Sequence, residues 1–167
     1  ARGSSQWLGI SLELAKNVTP TASSYSTLDI KPGANHLVIL AVSNTLDAGT
    51  ALVPTSVTGG GMTTWTTAAG LTKVTTTDTP AGQRRVTLYR SLQASPGAAA
   101  PVVIDFGGVV QDSCRWSVVE FLNVVTTGAN GANAILQDDS ATGVSASPSV
   151  TIIGAITAGN ATYGAFL

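Results

Sequence analysis

The sequence predicts an all-β protein: an antiparallel two-sheet β-sandwich of the jelly-roll type, with about eight to ten strands and almost no helix. Three observations predict it. Short apolar segments recur between turns built from Pro, Gly, Asn and Ser, at near-regular spacing through the 167 residues. Within most of these segments the apolar residues return at every second position, the period of a strand with one buried face. No stretch of ten or more residues carries helical periodicity, and the Thr-rich stretches favour strand because a β-branched side chain is stiff at χ1.

In chain order, Leu8, Ile10, Leu12 and Leu14 share one face of the first segment, with Gly9, Ser11 and Glu13 on the other and Trp7 at its start. This is the most amphipathic strand of the chain. After Pro20 a Ser/Thr-rich segment runs over 21–30, and Lys31-Pro32-Gly33-Ala34 turns the chain into an apolar strand over 36–42. Residues 46–54 read as a loop. Val57 leads through Gly59-Gly60-Gly61 to Trp65 and a Thr-rich run that continues to Asp78. Pro80-Ala81-Gly82 marks the next turn, before a strand over 84–92 in which Val86 and Leu88 are expected to face in, Thr87 and Tyr89 out. Val102, Ile104 and Phe106 alternate in the following strand, which Gly107-Gly108 ends. Residues 114–124 read as a central strand covered on both faces, with Trp116, Val118 and Leu122 on one side and Val119 and Phe121 on the other. Its expected partner is the strand at 37–42. A Gly/Asn-rich loop over 126–133, a short segment at 134–137, and strands at 145–153 and 161–167 complete the reading. The expected core holds Leu37, Ile39, Val86, Leu88, Ile104, Trp116 and Val118.

Two units are expected: residues 1–24, an N-terminal strand and linker, and residues 25–167, a single sandwich domain long enough to bury a full core. The linker, 18–24, reads as flexible from its Ser and Thr content. A strand tethered in this way either pairs within its own sheet or is exchanged with a neighbour, completing the next subunit's sheet. The candidate assembly strand is therefore Trp7, Leu8, Ile10, Leu12 and Leu14.

Composition narrows the class. Charged residues are 10% of the chain, against roughly 25% in ordinary soluble proteins, while the mean hydropathy is +0.30. No apolar run approaches the roughly 18 residues of a spanning helix, and three Trp with three Tyr are few for the two aromatic girdles of a porin-type barrel. Membrane insertion is not expected. The net charge of −1, with the basic residues scattered, leaves no electrostatic footprint for nucleic acid. One cysteine forms no intramolecular disulfide. The start at Ala1 suits a product of signal cleavage or a trimmed piece alike, and Asn160-Ala161-Thr162 fits a glycosylation acceptor.

Pro32-Gly33-Ala34 before the apolar strand, Val57-Thr58-Gly59-Gly60-Gly61 with Trp65, Arg85-Val86-Thr87-Leu88-Tyr89-Arg90, Val103-Ile104-Asp105-Phe106-Gly107-Gly108, and Cys114-Arg115-Trp116-Ser117-Val118-Val119-Glu120-Phe121 follow one another in an order that carries a resemblance. Residues 25–167 resemble a family of jelly-roll-like domains found in prokaryotic extracellular surface proteins and phage structural proteins. The resemblance implies a sandwich fold and a structural, adhesive or assembly role outside the cell or on a virion. It brings no catalytic residues.

The residues themselves offer little chemistry. Cys114 and His36 form a thiol–imidazole pair only if their strands bring them together. Asp105 and Glu120 are the candidate paired carboxylates, more simply read as polar strand members. Asp138-Asp139 lacks the alternating spacing of a calcium loop. No cofactor and no metal are therefore expected. Trp7, Trp65, Trp116, Tyr25, Tyr89 and Tyr163 are the aromatic groups that could stack on sugars, which makes a carbohydrate-binding or adhesive module, with surface glycans as partners, the alternative reading. The leading one is a non-enzymatic structural subunit whose partners are copies of itself, in a surface filament or virus particle. A charge-poor, apolar chain is kept in solution only with difficulty as a monomer, and its sheet edges invite pairing.

Overall fold

The computed structural model describes residues 21–47, 49, 51–75, 83–137, 149, 151 and 159–165. Seven strands lie among them: β1 (Ser24–Ile30), β2 (Leu37–Leu46), β3 (Ser56–Gly59), β4 (Thr66–Thr75), β5 (Gln83–Leu92), β6 (Ala100–Asp105) and β7 (Ser113–Phe121). They form two antiparallel sheets, ordered β1-β6-β3 and β4-β5-β2-β7. The expected all-β sandwich is therefore present. Pairing is nested, β1 with β6 and β2 with β5, so the chain doubles over and winds as a jelly roll does.

The core lies between the sheets. Tyr25, Val57, Val102, Ile104 and Phe106 from the three-stranded sheet meet Leu40, Val42, Tyr89 and Cys114 from the four-stranded one. Each fully buried aliphatic or aromatic side chain there stabilises the fold by about 1.5–3 kcal/mol before entropic losses. A second cluster covers the outer face of the four-stranded sheet at one end. Leu37, Ile39 and Leu92 pack there against Leu88, Phe121, Val124, Ile135 and Tyr163. Alternate residues of β2 thus point into two different apolar clusters, which explains its unbroken apolar run.

Several expectations are corrected. Residues 113–121 form an edge strand among the described residues, and β2 is the inner strand between β5 and β7. Both faces of β7 are apolar because one meets the other sheet and the other meets the second cluster. The inward phase of β5 is also the reverse of the one expected. Arg85, Thr87, Tyr89 and Ser91 face the sandwich interior, whereas Val86 and Leu88 point outward and are only partly buried. Backbone carbonyls make this phase tolerable: Arg85 Nε donates to Ala51 O at 2.7 Å, Tyr89 OH to Pro54 O at 3.2 Å, and Ser91 Oγ to Thr64 O at 2.6 Å. Leu37 and Ile39 are buried as expected, but in the second cluster. Trp116 and Val118 are half-buried at the rim. Leu122 lies beyond β7 and is exposed.

The C-terminal part also differs. Residues 161–165 are not in a strand; Tyr163 instead caps the second cluster, edge-on to Phe121, with its hydroxyl 2.9 Å from Ser117 Oγ. One aromatic among Ala and Gly anchors that segment by packing and not by a ladder. The Gly/Asn loop holds a short 3₁₀ segment, Ala129–Ala134, with Asn130 and Gly131 in the left-handed region. Gly131 is needed twice over, for its φ of 72° and because a Cβ would stand 3.0 Å from the Leu92 side chain. The expected strand at 145–153 lies almost wholly outside the described residues.

Candidate functional site

Trp7, Leu8, Ile10, Leu12 and Leu14, the assembly strand read from the sequence, lie outside the described residues. What the structure does describe is the set of sheet edges available to such a strand. Four strands are edges among the described residues: β1 and β3 in one sheet, β4 and β7 in the other. β1 carries a register shift between Ser26 and Asp29, and β4 one between Thr67 and Thr72. β3 is four residues long and ends in the left-handed Gly59-Gly60-Gly61 turn, over which Trp65 Nε1 donates to Gly59 O at 3.0 Å. Bulges and brevity are the usual means by which an edge is made a poor template. β7 has neither. It pairs with β2 in unbroken register from Leu37↔Phe121 to Thr45↔Ser113.

Both ends of β7 are pinned. At its head Gln111 and Asn44 are fully buried. Gln111 Oε1 accepts from Asn44 Nδ2 at 2.7 Å and from Leu52 N at 3.4 Å, while Asn44 Nδ2 also donates to Leu52 O at 3.0 Å. Asn44 Oδ1 has no hydrogen-bond partner. Tyr25 OH donates to the Gln111 carbonyl at 3.1 Å and accepts from Ala22 N at 3.2 Å; burial pushes the Tyr25 hydroxyl pKa up. At the tail, Glu120 Oε1 accepts from Gly33 N at 2.5 Å and pairs with His36 Nδ1 at 2.6 Å, which fastens the turn before β2 onto β7. The strand between these two fixtures keeps an unbroken register with β2.

Side chains of β7 sort by parity. Cys114, Trp116, Val118 and Glu120 lie opposite Asn44, Val42, Leu40 and Val38, on the side of the other sheet, and the Trp116 ring lies 6.4 Å from that of Tyr25 on β1. Arg115, Ser117, Val119 and Phe121 take the outer side, where Arg115 is exposed. Beside β7, one face presents the half-covered Trp116 and Val118 between Glu120 and the buried Cys114, and the other presents Arg115, Ser117, Val119 and Phe121. The chain itself passes close by, because Ala22 bridges Gln111 immediately before β7 begins.

The other candidate residues are not brought together. Cys114 pairs with Asn44 at one end of the β2–β7 ladder, and His36 precedes Leu37 at the other, so no thiol–imidazole pair forms. Burial pushes the Cys114 thiol up to about 12, the opposite of an activated nucleophile. Asp105 lies on the outer side of β6, with Oδ1 accepting from Gly107 N, while Glu120 belongs to the Gly33–His36 fixture on the other sheet. Asp138 and Asp139 lie outside the described residues. Among the described residues, no group of three or more His, Cys, Asp or Glu could hold a metal. Of the aromatic candidates, Tyr25 and Tyr89 are core, and Trp65, Trp116 and Tyr163 are partly buried against it or against the second cluster. Trp7 lies outside the described residues.

The buried Asn44–Gln111 pair and the Glu120 fixture were missed from the sequence. Asn44 had a signal, since it continues the inward phase of Leu40 and Val42 and so needs a buried partner. Gln111, in a connection, had none. Compared with known protein families, curated proteins and solved structures, the chain matches none.

Proposed function

We propose that the protein is a non-enzymatic structural subunit that assembles with copies of itself in an extracellular assembly, a surface filament or a virus particle. One observation carries the reading: three of the four described sheet edges are bulged or short, and the fourth, β7, is long, regular and flanked by half-buried apolar groups. Monomeric β-proteins blunt their edges, so a single unblunted edge marks where another chain pairs. Composition supports it. With 10% charged residues and exposed Leu28, Val109, Val110, Leu122, Val125 and Leu136 among the described residues, the surface suits burial between subunits better than free solution. The resemblance of residues 25–167 to domains of surface and phage structural proteins points the same way.

The test is direct: light scattering over a concentration series, with electron microscopy of the same samples. Regular oligomers or filaments are the expected result. A protein that remains monomeric at every concentration, or whose measured activity is glycan binding by the monomer, would overturn the proposal.

A further inference from the structure

We propose that Asn130 is a site of covalent modification: its side-chain amide is converted to a carboxylate through attack by the Gly131 backbone nitrogen, and the seating of the Gly/Asn loop sets the rate. Sequence singles the pair out first. Of the seven asparagines, only Asn130 is followed by glycine. A Cβ on the following residue crowds the approach of its backbone nitrogen to the asparagine Cγ, and every other asparagine has such a neighbour. The fold, in turn, requires the pair as it stands. Asn130 has φ 50° and ψ 41°, a left-handed conformation that asparagine tolerates better than most residues, and Gly131 follows with φ 72°. A Cβ at Gly131 would come within 3.1 Å of both Leu92 and Leu37. A side chain that slowed the attack would therefore also lift the loop off the second cluster.

Water is the only reagent the step needs. The Gly131 nitrogen bonds to Asn130 Cγ, the Cγ–Nδ2 bond breaks, and ammonia leaves with the proton that the Gly131 amide gives up. A succinimide ring remains. Water then opens it at Cγ, leaving an aspartate at position 130, or at the backbone carbonyl carbon, leaving an isoaspartate whose main chain runs through the former side chain. In the seated loop both reacting groups are engaged. Asn130 Nδ2 donates to Thr66 Oγ1 at 2.7 Å, and Gly131 N donates to Gly128 O at 3.3 Å. At a ψ of 41° the Gly131 nitrogen is also turned away from Asn130 Cβ, whereas ring closure needs both on the same side of the Cα–C bond. Conversion therefore proceeds while the loop is lifted from β4 and from Leu92 and Leu37, a local opening of the fold. The change is one-way. An isoaspartate adds its Cβ to the main chain, which displaces Gly131 from its place against the cluster.

The test follows the folded chain through incubation at mildly alkaline pH, with peptide mapping by mass spectrometry and separate detection of isoaspartate. Conversion is expected at Asn130 ahead of every other asparagine. Thr66→Val removes the hydroxyl that holds the Asn130 amide and should speed conversion roughly fivefold to tenfold, the equivalent of one hydrogen bond. Full denaturation should speed it further. A folded chain that never converts at Asn130 while the denatured chain does, or earlier conversion at another asparagine, would overturn the site. An unchanged rate in Thr66→Val would overturn control by the loop. Denaturant below the unfolding transition separates local opening from global unfolding: the rate should hardly change there, and a rate that climbs in step with the unfolding equilibrium would overturn the loop as the gate.

Discussion

Among the described residues β7 and β3 are both outermost strands, and the chain treats them in opposite ways. β3 is four residues long, closed by a left-handed glycine turn with an indole bound across it; β7 is nine residues long, in register throughout and fixed at both ends. The difference teaches what each edge is for. An edge kept short or bulged is a poor template, whereas one left regular, with polar fixtures at both ends, suits the pairing proposed above. The Asn44–Gln111 pair and the Glu120 fixture tie the two ends of β7 to β2 and to the turn before it.

The largest expected effect shows that edge and core are different places. Val102→Asp, at the fully buried centre of β6, should leave the protein unfolded, since an unpaired charge would enter the apolar core. Loss of the circular-dichroism strand signal checks it. Val118→Asp, at the half-buried rim of β7, should instead leave a folded monomer that no longer assembles, visible as a single light-scattering species with normal strand content. If Val118→Asp unfolds like Val102→Asp, the rim belongs to the core and the distinction fails.

Smaller effects sharpen the comparison. Asn44→Ala removes two hydrogen bonds made by a fully buried side chain at the head of β7 and should cost about 1–3 kcal/mol in denaturant unfolding. Its unpartnered Oδ1 places the expectation toward the lower end of that range.

Stability should also fall on the alkaline side. The Cys114 thiol has an ordinary value of 9.0 and is raised to about 12 in the fold, so the unfolded chain releases the proton first. The stabilisation is complete below pH 9 and is lost as pH rises toward 12, with Tyr25 and Tyr89, raised by burial as well, acting in the same direction at higher pH. Denaturation at about pH 8 and about pH 11 should therefore differ less in Cys114→Ala than in the parent. The smallest effect is expected at the bulged edge: Leu28→Lys, on an exposed side chain of β1, should change stability by about 0.5 kcal/mol or less and leave assembly intact. Lost assembly in Leu28→Lys would move the template to β1.

The sandwich was legible because its inner faces are written in period two: Val102, Ile104 and Phe106 sit where alternation places them. The phase of β5 was not legible. Apolar Val86 and Leu88 look inward by hydropathy, and only the carbonyls of Ala51 and Pro54, distant in sequence, make room for Arg85 and Tyr89 inside. The edge position of 113–121 was hidden for a related reason. A strand covered on two faces by a sheet and by a loop cluster has the same apolar pattern as one flanked by two strands, and Tyr163 covers the outer face of β7 from a segment that is not itself a strand. The alternation of Leu8, Ile10, Leu12 and Leu14 is plain in the sequence, whereas the regularity of the β7 edge became visible only once bulges and register were known.

Amide hydrogen exchange on the full chain, in dilute monomer and in the assembled state, tests the central claim most directly. In an edge strand, alternate N–H groups have no ladder partner, so every second amide across Ser113–Phe121 should exchange fast in the monomer and slowly in the assembly, with β1 and β3 unchanged. Equal exchange across β7 in both states, or new protection at β1 or β3 instead, would contradict it.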